Sequence, residues 1–348
     1  MTERGEFTHA EILSQPGAWA DALDVVENCR DGLKSVLETA YDQVLFTGCG
    51  STYYLSLAAA ALFQEMTGKI ARAVPGGELL LNSETAAGWT SSPTRKTLLV
   101  AVSRSGSTTE TVRAVEEFKK QKRGPVIAIT NYGHERLAGL ADVPLVIEKG
   151  QEESVAQTRS FASMYVAAAA MTMLAAGNET VRADMRKLPA TGERLLKKYA
   201  TLAREIGENL ALDRFYFLGS GARYGLACEA SLKMKEMTLS HSEPFHFLEF
   251  RHGPMSMVTE SAVVVGLLSE RNSGHESTVL SEMKAMGGTI LSLAETGAQV
   301  TFDSAIPESA RNVLYLPFLQ LMAFYRSMAK SLNPDRPNNL TAVVKLDL

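Results

Sequence analysis

Cysteine is scarce. Cys29, Cys49 and Cys228 are the three present, odd in number and widely spaced, and they fit neither a disulfide framework nor a metal-ligand pattern. That usage points to a reduced, cytoplasmic setting. A basic excess is also missing: the net charge of −4 argues against a nucleic-acid binder. It does not exclude small anions, which need only local positive charge or backbone amides. Long apolar runs are absent too. The longest, Phe161 to Ala176, is Ala-rich, contains Ser163 and Thr172, and is too short to span a membrane, so it reads as a buried core helix. The N-terminal stretch lacks the apolar core of a signal peptide. No G-x-x-x-x-G-K-[ST] loop occurs. Neither Gly48-Cys49-Gly50 nor Gly219-Ser220-Gly221 is extended to G-x-G-x-x-G, which leaves a dinucleotide site without support.

What is present is a globular composition, 45% hydrophobic and 21% charged over 348 residues, with room for two domains. Residues 8 to 40 read as helix. Thr8 and Glu11 suggest a capping box, and Trp19, Leu23, Val26, Cys29 and Leu33 recur at helical spacing. This segment is expected to pack outside the first strand or on a partner subunit. Strands are then expected at Val44–Thr47, Ile70–Val74, Thr97–Val102, Val126–Thr130 and Val143–Ile147, separated by helical stretches that include Thr109 to Phe118. A connector with helical content follows over 177–200. A second alternating unit has expected strands at Arg214–Leu218, Ala262–Leu268, Thr289–Leu293 and Val313–Leu316. The alternation predicts an α/β protein with two tandem doubly wound parallel sheets. The implied segments are 1–40 (helical), 41–176 (first domain), 195–330 (second domain) and 331–348 (a tail that begins as an extended loop). The two halves echo each other, because both Gly-x-Gly pairs close a strand and open a helix.

In open parallel sheets ligands bind beyond the carboxyl ends of the strands. Ser51-Thr52 and the loop Ser103-Arg104-Ser105-Gly106-Ser107-Thr108 lie at such ends. The second offers four hydroxyls, a glycine for close backbone approach and the unpaired amides of a helix N-terminus, a combination suited to a phosphate monoester or simply to a Ser/Thr-rich cap. The matching loop of the second half, Ser269-Glu270-Arg271-Asn272-Ser273, carries an acidic residue and no hydroxyl cluster, so it is expected to have lost phosphate binding. A further cluster lies at Glu229 to Pro254. Glu229, Lys233 and Glu236 share one helical face, and a loop holding His252 follows, with His241 and His246 between. Carboxylate, ammonium and imidazole form a proton-transfer set, although an exposed helix ion pair and an idle loop histidine would look the same in sequence.

Taken together these motifs resemble the sugar isomerase (SIS) domain family, in particular the tandem-domain isomerase half of glucosamine-6-phosphate synthase, from about residue 40 to the end. The resemblance rests on Gly48-Cys49-Gly50-Ser51-Thr52, on Ser103–Thr108 as an S-x-S-G-x-T loop and on Val155-Ala156-Gln157-Thr158-Arg159-Ser160-Phe161. It rests equally on Glu229–Glu236 as an E-x-x-L-K-x-K-E helix and on Arg251-His252-Gly253-Pro254. It implies that Ser103, Ser105 and Thr108, with the Arg104 amide, bind a sugar phosphate. Ser51, Thr52 and Val155 would face the sugar. Glu236 would shuttle a proton between C1 and C2 with Lys233 holding its charge state, and His252 would open the ring from a neighbouring subunit, which implies an obligate homodimer. No metal and no cofactor are implied. Three departures stand out. The glutamine-hydrolysing half is not in this sequence, so nitrogen from glutamine is not expected. Ala342 stands where the family has a Schiff-base lysine, with Lys345 three residues beyond. Gln157 and Arg159 replace a small hydroxyl and a lysine and could read a different substituent. The expected function is an aminosugar-phosphate isomerase/deaminase acting on glucosamine 6-phosphate. The alternatives are a fructosamine 6-phosphate deglycase and a non-catalytic phosphosugar-binding regulator.

Overall fold

The computed structural model describes residues 3–89 and 94–346. It opens with two helices, α1 (Glu6–Asn28) and α2 (Arg30–Leu37). The alternation then runs β1 (Gln43–Gly48), α3 (Ser51–Thr67), β2 (Ala71–Pro75), β3 (Thr97–Val102), α4 (Thr109–Lys120), β4 (Val126–Thr130) and β5 (Val143–Val146). After a long buried helix, α5 (Arg159–Ala175), and further short helices come β6 (Arg214–Leu218), α6 (Ala222–Thr238), β7 (His241–Phe245) and β8 (Ala262–Leu267). The chain ends its regular structure with α7 (Ser273–Ala285), β9 (Thr289–Ala294), β10 (Val300–Thr301) and α8 (Leu316–Ala329). Two parallel five-stranded sheets result, ordered β2-β1-β3-β4-β5 and β10-β9-β8-β6-β7. Both orders reverse beside the first strand of their half, which creates a switch point between β1 and β3 and another between β6 and β8. By compactness the described chain forms two units, one of residues 17–152, 159–186 and 341–346, the other of 3–16, 153–158 and 187–340.

The central strands β1, β3 and β8 are buried at every position, as both-faces-covered parallel strands require. In the first sheet's unit, Leu45, Leu99, Ala128, Val115, Phe118 and Trp89 form one apolar cluster. In the second sheet's unit, Tyr216, Val264, Leu280, Met283 and Phe250 form its counterpart. The apolar run from Phe161 is buried along α5 as far as Leu174, as expected of a core helix. The echo of the Gly pairs is exact in backbone terms. Gly50 has φ +57° and ψ −125°, Gly221 has φ +58° and ψ −133°, and each precedes its helix. A Cβ on Gly48 would come within 2.7 Å of the Thr52 backbone, and one on Gly219 within 2.5 Å of the Arg223 carbonyl oxygen. Both strand ends therefore need glycine to let the helix start so close.

Several expectations are corrected. The capping box at Thr8 does not form, because α1 begins two residues earlier, at Glu6. Its N-terminus is capped from far along the chain: Asp335 accepts from the Gly5 amide at 3.1 Å, the Thr8 amide at 2.8 Å and the Thr8 hydroxyl at 2.7 Å. The Glu11 carboxylate instead accepts from the amides of Glu153 at 2.7 Å and Ser154 at 3.2 Å. The 8–40 helix breaks at Cys29, and α2 packs on α5 and on the edge strand β5 rather than on β1. The run Val313–Leu316 is a 3-10 turn leading into α8, not a strand, and the second sheet reaches five strands through β7 and β10 at its two edges. A short apolar run cannot be told from the start of a buried helix by periodicity alone. Conversely, β7 contains Pro244 and is only partly buried, which an edge position tolerates but which hides it from a hydrophobicity search. The short β10 at the other edge was likewise not foreseen.

Candidate functional site

In the first sheet's unit, the loops after β1 and β3 lie on adjacent strands at the switch point. Ser103 and Arg104 are buried and Ser105 and Thr108 partly so. The Thr108 hydroxyl sits 3.4 Å from both the Ser103 and the Ser105 hydroxyls, so the three converge. The loop is fixed from inside. Ser103 Oγ accepts from the Gly106 amide at 3.2 Å, and Ser105 Oγ accepts from the Ser107 amide at 3.2 Å. Gly106 turns in the left-handed region at φ +67°. Thr108 is the N-cap residue of α4, yet its side chain accepts no capping bond from the helix. Its hydroxyl therefore faces the other two, beside the partial positive charge of the helix N-terminus. Ser51 and Thr52 are buried at the start of α3. The Thr52 hydroxyl closes a ring with Cys49, accepting from its amide and donating to its carbonyl, both at 2.9 Å.

Two features of this loop escaped the sequence. The Arg104 guanidinium is buried, donates to the Ala342 carbonyl at 2.8 Å and lies 3.7 Å from the Glu152 carboxylate, which is itself enclosed. Glu152 in turn accepts from the Ser160 amide at 3.1 Å and from the Ser160 hydroxyl. The chain beyond Ala342 runs along the start of α4. Leu346 donates its amide to the Thr109 hydroxyl at 3.0 Å, which puts the exposed Lys345 beside that helix start. A glutamate three residues before a V-A-Q-T segment carries no signal without a structure, since nothing in the sequence ties it to residue 104.

In the other unit, α6 carries the carboxylate–ammonium set on one face. Lys233 is 2% exposed, with Glu229 at 3.3 Å and Glu236 at 2.5 Å. Burial acts against the ammonium, but the charges of Glu229 and then Glu236 outweigh it, so the Lys233 pKa is raised above its ordinary value. The lysine is therefore charged at neutral pH. Glu229 is enclosed, whereas the Glu236 side chain is 21% exposed and open to a reactant. His252 ends a one-turn 3-10 helix, is exposed, and follows Arg251, which clasps Glu282 with two bonds of 2.7 Å. His246 stacks on Tyr224 with ring centres 3.9 Å apart, and His241 lies on β7. Val155 donates its amide to the Asp335 carbonyl at 2.9 Å. Gln157 is half-buried, and among the described residues no donor meets its Oε1. Cys228, also on α6, is no nucleophile, because burial pushes its thiol up to about 11. Among the described residues no group of three or more His, Cys, Asp or Glu is placed to hold a metal ion, and no helix is long and apolar enough to cross a membrane.

Doubly wound parallel sheets in tandem, with converging hydroxyls at the first switch point, define the class of protein. Comparison with known proteins narrows it. The SIS domain model matches residues 39–174 and 212–323, and the chain belongs to that family. It is 30% identical over 367 residues to the glutamine–fructose-6-phosphate aminotransferase (isomerizing) of Pyrococcus horikoshii, which covers all of this chain and 59% of that protein. The enzyme of the same name from Thermococcus kodakarensis is 27% identical, with 100% and 60% covered. This chain thus spans about three fifths of the length of those relatives. Among solved structures, glucosamine-6-phosphate deaminase of Thermotoga maritima superposes with a TM-score of 0.78 at 26% identity, covering 97% of this chain and 99% of that one. Tagatose-6-phosphate ketose/aldose isomerase of Escherichia coli superposes with a TM-score of 0.85 at 22% identity, covering 96% and 95%, a likeness of fold.

Proposed function

We propose that the protein is a sugar-phosphate isomerase of the deaminating kind, converting glucosamine 6-phosphate and water to fructose 6-phosphate and ammonia. The observation that carries this reading is Lys233, enclosed and held charged between Glu229 and Glu236. A buried ammonium carries a desolvation cost of several kcal/mol, and binding a phosphate at the Ser103–Thr108 loop does not call on it. The likeness to glucosamine-6-phosphate deaminase over nearly the whole of both chains supports the same reading.

In this reading Ser103, Ser105 and Thr108, with the Arg104 amide, take the phosphate, and Ser51, Thr52 and Val155 contact the sugar. His252, supplied by the neighbouring subunit of a homodimer, opens the ring. Glu236 removes the proton from C2 of the open-chain aldehyde and returns it to C1, which leaves an imine at C2. Water replaces the imine nitrogen and ammonia departs. Each step needs only a positioned carboxylate and imidazole. The Lys233 ammonium, 2.5 Å from Glu236, holds that carboxylate in position for the transfer. Ala342 cannot form an imine with a ketose, so no lysine adduct takes part at that position, and Lys345 is the neighbouring lysine of the tail. A glutamine-derived nitrogen supply is not part of this proposal.

The test is direct. Incubated with glucosamine 6-phosphate, the protein is expected to release ammonia and fructose 6-phosphate in equal amounts. Glu236→Gln is expected to lower turnover by about 10²–10⁴-fold while titration calorimetry shows phosphosugar binding retained; an unchanged rate would remove Glu236 from the mechanism. One feature favours a second reading, a fructosamine 6-phosphate deglycase: the buried, unmatched Oε1 of Gln157 would accept from an amine substituent on the sugar. Binding of glucosamine 6-phosphate without either product, together with turnover of a phosphorylated fructosamine, would select it. Binding with no turnover of either substrate would leave the regulator.

A further inference from the structure

The second half has a loop at its own switch point, and its interior repeats that of the first. Ser269 Oγ accepts from the amide three residues on, Asn272, at 2.9 Å, as Ser103 Oγ accepts from Gly106 at 3.2 Å. The residue that follows each Gly-x-Gly pair at the second helical position is Thr52 in the first half and Arg223 in the second, so the second switch point carries a guanidinium where the first carries a hydroxyl. What differs is the occupant. The Glu276 carboxylate reaches back from the first turn of α7 and accepts from the Ser269 amide at 2.6 Å and the Ser269 hydroxyl at 3.0 Å through one oxygen. Glu276 is 2% exposed, and among the described residues no donor meets its other oxygen.

The surroundings are charged, with Arg223 and Arg311 set among Glu270, Glu276, Glu295 and Glu308. Arg223, 9% exposed, donates to Glu308 at 2.6 Å through Nη1, while no acceptor among the described residues meets its Nε. Glu270, the acidic residue that made this loop look unfit for phosphate, accepts from Arg311 at 2.7 Å while still lining the cavity beside the loop. The seat at the Ser269 amide and hydroxyl is taken by Glu276 and not by Glu270. A cavity of about 270 Å³ opens beside the loop, lined by Ser269, Ser273, Ser277 and Thr296 and also by the acidic Glu270 and Glu295.

We propose that the Ser269–Ser273 loop is an oxyanion site whose resident ligand is the chain's own Glu276 carboxylate, and that removing that carboxylate opens the loop to a small external oxyanion. The ligand class is a carboxylate or phosphate held by the Ser269 amide and hydroxyl with Arg223 supplying positive charge. This is independent of the reaction assigned to the first half, and any phosphate bound at Ser103–Thr108 contributes equally to wild type and variant.

The experiment compares the full-length wild type, Glu276→Ala and Glu276→Gln in acetate, inorganic phosphate and chloride at matched ionic strength. Expected is a lowered melting midpoint for Glu276→Ala that acetate or phosphate raises by roughly 2–4 °C more than it raises the wild type, with chloride inert. Glu276→Gln, which fills the seat without charge, is expected to show no such increment. If Glu276→Ala does not fold in chloride, refolding from urea is compared in acetate and in chloride, and recovery in acetate alone carries the same conclusion. A folded Glu276→Ala with no anion-specific increment, or a failure to refold in both salts, overturns the proposal.

Discussion

A fully enclosed ion pair decides much about residue 233. Lys233 and Glu229 are 2% and 1% exposed, and the pair is closed by Glu236 on the outer side. Removing one partner of such a pair leaves a charge in a low-dielectric interior with nothing to offset it. Lys233→Met keeps the volume and removes the ammonium. It is expected to destabilise the protein by about 3–5 kcal/mol in urea denaturation, because the enclosed Glu229 carboxylate loses the ammonium 3.3 Å from it. Adding Glu229→Gln is expected to recover part of that loss; a double variant as unstable as the single one would show that packing, not charge, is what Lys233 contributes. The sequence already put these three side chains on one face by their spacing. It did not show that the middle one is enclosed. Burial of a lysine depends on what α8 and β7 pack around α6, which a single helix pattern does not encode.

At the scale of an element, α1 is started by a residue more than three hundred positions away. Asp335 accepts one bond from Gly5, just before α1, and two from Thr8 in its first turn, including the hydroxyl at 2.7 Å. A local capping reading of Thr8 and Glu11 had the right residue types and the wrong partners, since both side chains bond to distant chain. Asp335→Ala is expected to cost about 1–2 kcal/mol, read as a fall in urea midpoint at unchanged m-value, whereas Thr8→Ala, which leaves two amide bonds in place, is expected to cost less. Equal effects would mean that the hydroxyl bond alone anchors the helix. The elements that the sequence reveals well are those with a single dominant signal. The buried strands β1, β3, β4 and β8 are continuous apolar runs, and both Gly-x-Gly turns follow from close helix approach. Those it hides are edge strands such as β7 and β10, where exposure weakens the pattern, and the 3-10 entry to α8, where burial on all sides makes a helix look like a strand. The hydroxyl loop after β3 was legible because its residues are contiguous, whereas Glu152 and the Ala342 carbonyl, which hold Arg104, were not.

At the scale of the whole molecule, the proposed reaction needs more than one copy of the chain. His252 sits exposed on a loop that Arg251 and Glu282 clasp from one side, and the described residues give its imidazole no ion-pair partner. A ring-opening base that serves its own chain and one that serves a neighbour predict different outcomes when inactive variants are mixed. Homodimers of Glu236→Gln and of His252→Asn are each expected to be inactive toward glucosamine 6-phosphate. After unfolding and refolding together in equal amounts, half the dimers carry one chain of each kind. If His252 crosses the interface, one of the two sites in such a dimer has both native residues and the other has neither. Activity is then expected to return to about a quarter of the wild-type value by this two-fold symmetric counting. If His252 serves its own chain, every site in the mixture lacks one of the two residues and no activity returns. Sedimentation of the mixture, run in parallel, ensures that a silent result reflects the position of the histidine and not a failure of the chains to exchange.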